Sequence, residues 1–147
     1  ADIAPRFYPI HHHQILEGVS NLDFSIIDSR KKADTELSKY VDDFGVRQFL
    51  LKNLYWVSPG ILGLRMNLKI LFENVHEVGE SLPSHLTINT ETLFLRGDKS
   101  EYILKDDITH IANQFNNFSM NTIPNSGHWL HAENPRAFFS EILNFLS

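Results

Sequence analysis

Acid–base side chains fall just beyond strand-like runs at three places in this chain. Asp2 lies in the opening Ala1-Asp2-Ile3-Ala4-Pro5, which reads as the end of a strand entering a loop. Asp98, Ser100 and Glu101 follow the apolar run Thr92-Leu93-Phe94-Leu95, which ends at Arg96-Gly97. His128 sits in residues 125–135, the loop after Phe118-Ser119-Met120-Asn121-Thr122-Ile123. A histidine between strand and helix titrates near neutral pH and can hand a proton to something above a sheet. Each residue also has a plainer use. Loop carboxylates are commonly solvated, Asp98 is placed to cap a turn, and a loop histidine can simply hydrogen-bond locally. Their joint placement points to chemistry, because the working residues of open α/β sheets lie beyond the carboxyl ends of the strands.

The elements that must position these groups follow from periodicity and capping. Asn134 suits an N-cap and Pro135 a first helical turn, so a helix is expected from Pro135 to Leu146, packing Phe138, Phe139, Ile142, Leu143 and Leu146. Gly127 is expected to supply the sharp turn that holds His128 at the mouth between strand and helix. Ile108, Ile111, Ala112 and Phe115 predict a helix between the two strand runs. A β-α-β-α order implies parallel strands with helical crossovers. Two strands are too few for such a sheet, so others must come from elsewhere.

Residues 14–79 read differently, as mostly helical with no strand long enough to anchor a sheet. Asp28 or Ser29 can cap a helix carrying Ala33, Leu37, Tyr40 and Val41; Asp42-Asp43 starts another with Val46, Phe49, Leu50 and Leu54. Tyr55-Trp56-Val57 is a short extended piece before the turn Ser58-Pro59-Gly60, and Asn67 caps a third helix with Ile70, Leu71, Val75 and Val78. His11-His12-His13 reads as a solvated helix start, since consecutive histidines point in different directions and make a poor metal site. The boundary between the two parts falls near residues 79–89.

Composition bounds the class. The chain has 147 residues, 42% hydrophobic and 21% charged, which fits one ordinary globular domain's worth of core. A net charge of −5 gives no basis for a nucleic-acid partner or an anionic membrane surface. No run approaches the ~18 apolar residues of a membrane span. Cysteine is absent, which excludes disulfides and thiolate chemistry and fits a reducing, cytoplasmic setting. The chain opens without methionine and mid-strand, as a piece of something longer would.

A carboxylate, a second carboxylate and then a histidine, each at a strand end, is the order of acid and base in a Ser…Asp/Glu…His hydrolase. The chain resembles the carboxyl-terminal half of an α/β-hydrolase, the YbfF-type bacterial esterases in particular. The resemblance is carried by Ala1-Asp2-Ile3-Ala4-Pro5, Val46-Arg47-Gln48-Phe49-Leu50-Leu51-Lys52-Asn53-Leu54, Arg65-Met66-Asn67-Leu68, Leu93-Phe94-Leu95-Arg96-Gly97, Ser100-Glu101-Tyr102-Ile103 and Gly127-His128-Trp129-Leu130-His131-Ala132-Glu133. It implies an α/β fold whose sheet is incomplete in this chain. Residues 1–9 would be the end of a core strand and a loop, 10–80 a helical cap, and 81–147 the carboxyl-terminal part of the core.

The same resemblance implies that His128 is the general base. Glu101 occupies the usual acid position, and Asp2 the alternative one in the Asp-Ile-Ala-Pro element; Asp2 is favoured, with Asp98 third. No Gly-x-Ser-x-Gly occurs, so the nucleophile elbow is missing. The expectation is therefore part of a serine esterase or thioesterase for short acyl esters. This chain would supply base, acid and cap, and an upstream half would carry the serine. Phe49, Tyr55, Trp56 and Trp129 are candidate substrate contacts, although a helix stripe of aromatics is commonly plain core. The chemistry calls for no cofactor, and no metal constellation is visible. The alternative is an inactive truncated hydrolase serving as a binding module, or dimerising through an exposed sheet edge.

Overall fold

Side-chain caps set where the helices of residues 9–79 begin. In the computed structural model, which describes residues 1–10 and 12–147, α1 runs His13–Ser20, α2 Arg30–Leu37 and α3 Phe44–Leu51. The Ser29 hydroxyl accepts from Lys32 N at the start of α2, and the Asp43 carboxylate from Val46 N at the start of α3. Each such cap is worth about 1 kcal/mol over alanine. The chain divides into two compact units, one of them Pro9–Gly79. Its core gathers Val19, Leu22, Ile27, Ala33, Leu37, Val41, Leu50, Leu51, Leu54 and Leu62. Arg47 fixes α3 to α2 through Asp34 at 2.9 Å, while Arg30 donates to the carbonyls of Leu51 and Leu54.

Two sequence expectations change in this helical unit. The extended piece pairs, as β1 (Leu54–Ser58), with β2 (Ile61–Leu64) in an antiparallel hairpin. Gly60, at φ +80°, makes the turn that only glycine adopts freely. The second strand is four residues with a glycine inside, too short to show alternation. The third helix also stops early. Asn67 caps α4 (Leu68–Glu73) as expected, but Asn74 leaves helical geometry, and Val75–Gly79 forms a separate 3₁₀ turn. Ile70 and Leu71 are exposed rather than packed. The helix start expected at the three histidines is seen at His12 and His13; His11 lies outside the described residues.

The second unit joins Ala1–Tyr8 to Glu80–Ser147. β3 (Thr92–Gly97) lies parallel to β4 (Phe118–Ile123), in register from Thr92 against Phe118 to Gly97 against Ile123, with α5 (Asp107–Gln114) as the crossover. On the other edge of β3, Asp2 N donates to Leu95 O at 2.6 Å, so the opening residues run beside the strand. Alternate side chains of β3 serve opposite faces. Phe94 packs with Ala4, Ile103, Ile111 and Phe115 on the α5 side. Leu95 packs with Ile123 and Leu130 on the other, covered by Ala137, Phe138 and Ile142 of α7 (Pro135–Leu146). The short α6 (Leu130–Glu133) precedes α7, whose cap is the Asn134 side chain accepting from Ala137 N.

α7 packs less than its sequence suggested. Phe139, Leu143 and Leu146 are 62, 48 and 74% exposed, because the narrow two-stranded sheet is already covered by Ala137, Phe138 and Ile142. Among the described residues no helix is long and apolar enough to cross a membrane.

Candidate active site

The carboxyl ends of β3 and β4 converge on Asp2. Its side chain is fully buried, and its backbone takes the left-handed φ of 51° that aspartate tolerates better than most residues. A buried carboxylate must be satisfied by donors. Gly97 N donates to Oδ1 at 3.1 Å, the Ser100 hydroxyl donates to Oδ2, and His128 Nδ1 lies 2.9 Å from the same Oδ2. A carboxylate only accepts, so Nδ1 carries the proton of that bond and the lone pair of a neutral ring falls on Nε2. The His128 side chain is 43% exposed, which leaves it within reach of a reacting group.

The loop carrying His128 is held from both sides. Asp98, beyond the end of β3, accepts from Asn125 N at 2.9 Å and Ser126 N at 3.0 Å. Those two amide donors hold its carboxyl below the usual aspartate range. Glu133 of α6 accepts from Gly127 N at 2.9 Å and Trp129 N at 3.2 Å, the amides flanking His128. Ser126, fully buried, donates from its hydroxyl to Ile123 O. The sharp turn expected at Gly127 falls instead at Asn125, at φ 56°. The glycine that this region does require is Gly97: a Cβ there would sit 2.3 Å from the carbonyl oxygens of both Ser126 and Gly127.

An aromatic column stands against the histidine. Tyr102 stacks on the His128 ring at 3.8 Å between centroids and 19° between planes. Tyr8 stacks on Tyr102 at 5.4 Å, and the Arg6 guanidinium lies 4.0 Å above the Tyr8 ring. Arg6 in turn pairs with buried Asp107 at 2.8 Å. Burial pushes the Tyr8 phenol pKa up, and its hydroxyl donates to Tyr102 O at 2.5 Å.

Of the residues singled out from sequence, Asp2 and His128 meet directly. Asp98 holds the loop instead, in the turn-capping role open to it. The Glu101 side chain is exposed, and the contact at this residue is its carbonyl, which accepts from Arg6 at 3.5 Å. Trp129 adjoins His128 in sequence and stacks loosely on His131 at 6.0 Å. Phe49, Tyr55 and Trp56 lie exposed on the helical unit. Ser100 was seen at the strand end but given no role, and Tyr102 and Glu133 were given none. Glu133 lies four residues after the N-cap Trp129, one position beyond the capping-box site, so local spacing did not mark it. The Ser100–Asp2 and Tyr8–Tyr102 contacts span 98 and 94 residues, and the stack of Tyr102 on His128 joins two different loops, so none of them shows in local spacing.

Parallel strands with a helical crossover, whose carboxyl ends bring a buried carboxylate to a half-exposed imidazole, fit part of an α/β-hydrolase core. The chain belongs to the α/β-hydrolase superfamily and matches the carboxyl-terminal half of its YbfF-like members. It is 32% identical over 151 residues to the sn-1-specific diacylglycerol lipase ABHD11 of Danio rerio, covering 99% of this chain and 47% of that protein. Esterase YbfF of Escherichia coli is 29% identical over 152 residues, covering 99% of this chain and 56% of the relative. A solved marine microorganism esterase superposes with a TM-score of 0.90 at 32% identity, over 98% of this chain and 58% of that one. The chain thus spans about half the length of the curated relatives it matches. No family model matches it.

Proposed function

We propose that this chain supplies the base, the acid and the substrate-covering cap of a cytoplasmic serine esterase or thioesterase acting on short acyl esters. The nucleophile lies on an upstream half. The Asp2–His128 hydrogen bond carries this reading. His128 Nε2 takes the proton of the incoming serine hydroxyl as its oxygen attacks the acyl carbonyl. Asp2 keeps the ring in the required tautomer and stabilises the imidazolium that forms. The same Nε2 then protonates the leaving alkoxide or thiolate. In the second half, Nε2 takes a proton from water as its oxygen attacks the acyl-serine. The C–O bond to serine then breaks, Nε2 returns the proton to the serine oxygen, and the acid is freed. Asp2 is preferred to Glu101 as the acid because the buried carboxylate is the one bonded to Nδ1. The relatives' names, an esterase and a diacylglycerol lipase, support an acyl ester as substrate. Trp129, next to the base in sequence, offers an apolar contact for the acyl chain, and Phe49, Tyr55 and Trp56 are kept as candidates on their own unit, where they are exposed aromatics.

Reconstitution tests the reading. Combined with an upstream half bearing Gly-x-Ser-x-Gly, the chain is expected to hydrolyse p-nitrophenyl butyrate, and His128→Ala is expected to abolish turnover. A His128→Ala complex as fast as its parent would remove the histidine from the mechanism.

A second reading, a non-enzymatic association module, is favoured by one observation. Phe139, Leu143 and Leu146 form an exposed apolar row along α7. Concentration-dependent sedimentation of the chain alone would support it.

A further inference from the structure

The aromatic column beside His128 is not required by the hydrogen bonds of the acid–base pair, yet it is anchored at every level. Tyr102 N donates to Ser100 Oγ at 3.2 Å, the same hydroxyl that donates to the Asp2 carboxylate. Its carbonyl accepts from Tyr8 at 2.5 Å and from Arg6 Nη2 at 3.4 Å. Tyr8 is itself fixed, since its hydroxyl accepts from Ala4 N at 2.8 Å. The Tyr102 ring is therefore a fixed plate held from both sides of its backbone. The imidazole lies nearly parallel to it at 3.8 Å.

A half-exposed imidazole held by one hydrogen bond can still rotate about its Cβ–Cγ bond, which would carry Nδ1 away from the acid. A flat ring against one face blocks that rotation. The contact also acts on charge. An aromatic face attracts a cation, and the histidine of an acyl-transfer cycle becomes a cation at each proton transfer. The groups that face or flank His128 are the Asp2 carboxylate at Nδ1, the Tyr102 ring on its face, and the Glu133 carboxylate on the amides to either side. Arg6 bears on the far end of the column, its charge balanced by Asp107.

We propose that Tyr102 is a positioning residue: its ring, braced by Tyr8 and Arg6, fixes the plane of His128 and holds Nδ1 on the acid. The catalytic consequence rests on the acid–base reading above; the effect on the imidazole does not. The phenol oxygen of Tyr102 plays no part, so phenylalanine should replace it.

The test follows the His128 ring signals by NMR in the full 147-residue chain. In the unsubstituted protein the His128 ring protons are expected upfield of a solvated histidine, through the ring current of Tyr102. Solvated-histidine shifts there would overturn the stack without any variant. Tyr102→Leu is expected to move the His128 ring protons to solvated-histidine shifts and to mix its tautomers. Tyr102→Phe should restore both. A single, unchanged tautomer in Tyr102→Leu, or a Tyr102→Phe protein with mixed tautomers, would overturn the role. In the reconstituted complex Tyr102→Leu should cut kcat several-fold with KM nearly unchanged. A complex with no activity in any form would sink the esterase reading and leave the tautomer result standing.

Discussion

Asp2 is the residue on which the site turns. It is buried, at a φ of 51°, and takes three donors from parts of the chain nearly a hundred residues or more away: Gly97 N, Ser100 Oγ and His128 Nδ1. Replacing a carboxylate that receives an imidazole N–H by an amide presents a mixed donor and acceptor to Nδ1 and favours the wrong tautomer. In the reconstituted complex Asp2→Asn is expected to lower kcat by about three to four orders of magnitude, with substrate binding little affected. Glu101→Gln should leave kcat at the parent level, because its exposed side chain makes no hydrogen bond to His128. The reverse pattern, a silent Asp2→Asn and a dead Glu101→Gln, would reassign the acid. Both members of the acid–base pair were visible in sequence as strand-end residues of the right chemistry. Asp2 was already favoured over Glu101 by resemblance, and what the structure adds, its burial and its bond to Nδ1, leaves no mark in spacing.

At the scale of elements, the strand end and the histidine loop are made to fit each other. Gly97 leaves room for the carbonyls of Ser126 and Gly127, and Asp98, the next residue, ties down the amides of Asn125 and Ser126. Those amide donors lower the Asp98 pKa from its ordinary 3.8. A depressed carboxylate contributes stability that is fully present above its unfolded pKa and is lost as pH falls through the folded one. The loop should therefore stay pinned at neutral pH and loosen only in acid. The amide shifts of Asn125 and Ser126 are expected to titrate together with a midpoint below 3.8, and Asp98→Asn should abolish that titration. A midpoint in the ordinary range would show that the bonds do not select the charged form. β3, α5, β4 and α7 were legible because caps and apolar runs mark their ends. The hairpin strand Ile61–Leu64 and the 3₁₀ turn Val75–Gly79 were not, being too short for a period to emerge.

For the molecule as a whole, the open question is what meets the exposed row of α7. Phe139, Leu143 and Leu146 follow helical spacing, but the two-stranded sheet beside them is filled by Ala137, Phe138 and Ile142. An apolar row of this kind favours association with either a companion segment or a second copy. The double variant Phe139→Glu, Leu143→Lys separates the two, because a Glu–Lys pair at i,i+4 supports the helix while removing the apolar surface. If the row receives the upstream half, the variant should fail to reconstitute ester hydrolysis even when its His128 ring signals match the parent. If the row joins two copies, the variant should sediment as a monomer while reconstitution proceeds at the parent rate. A chain that is monomeric at high concentration before any substitution, and reconstitutes equally well after it, would rule out both uses. The circular dichroism of the double variant should match the parent, which keeps loss of the helix itself from imitating either result.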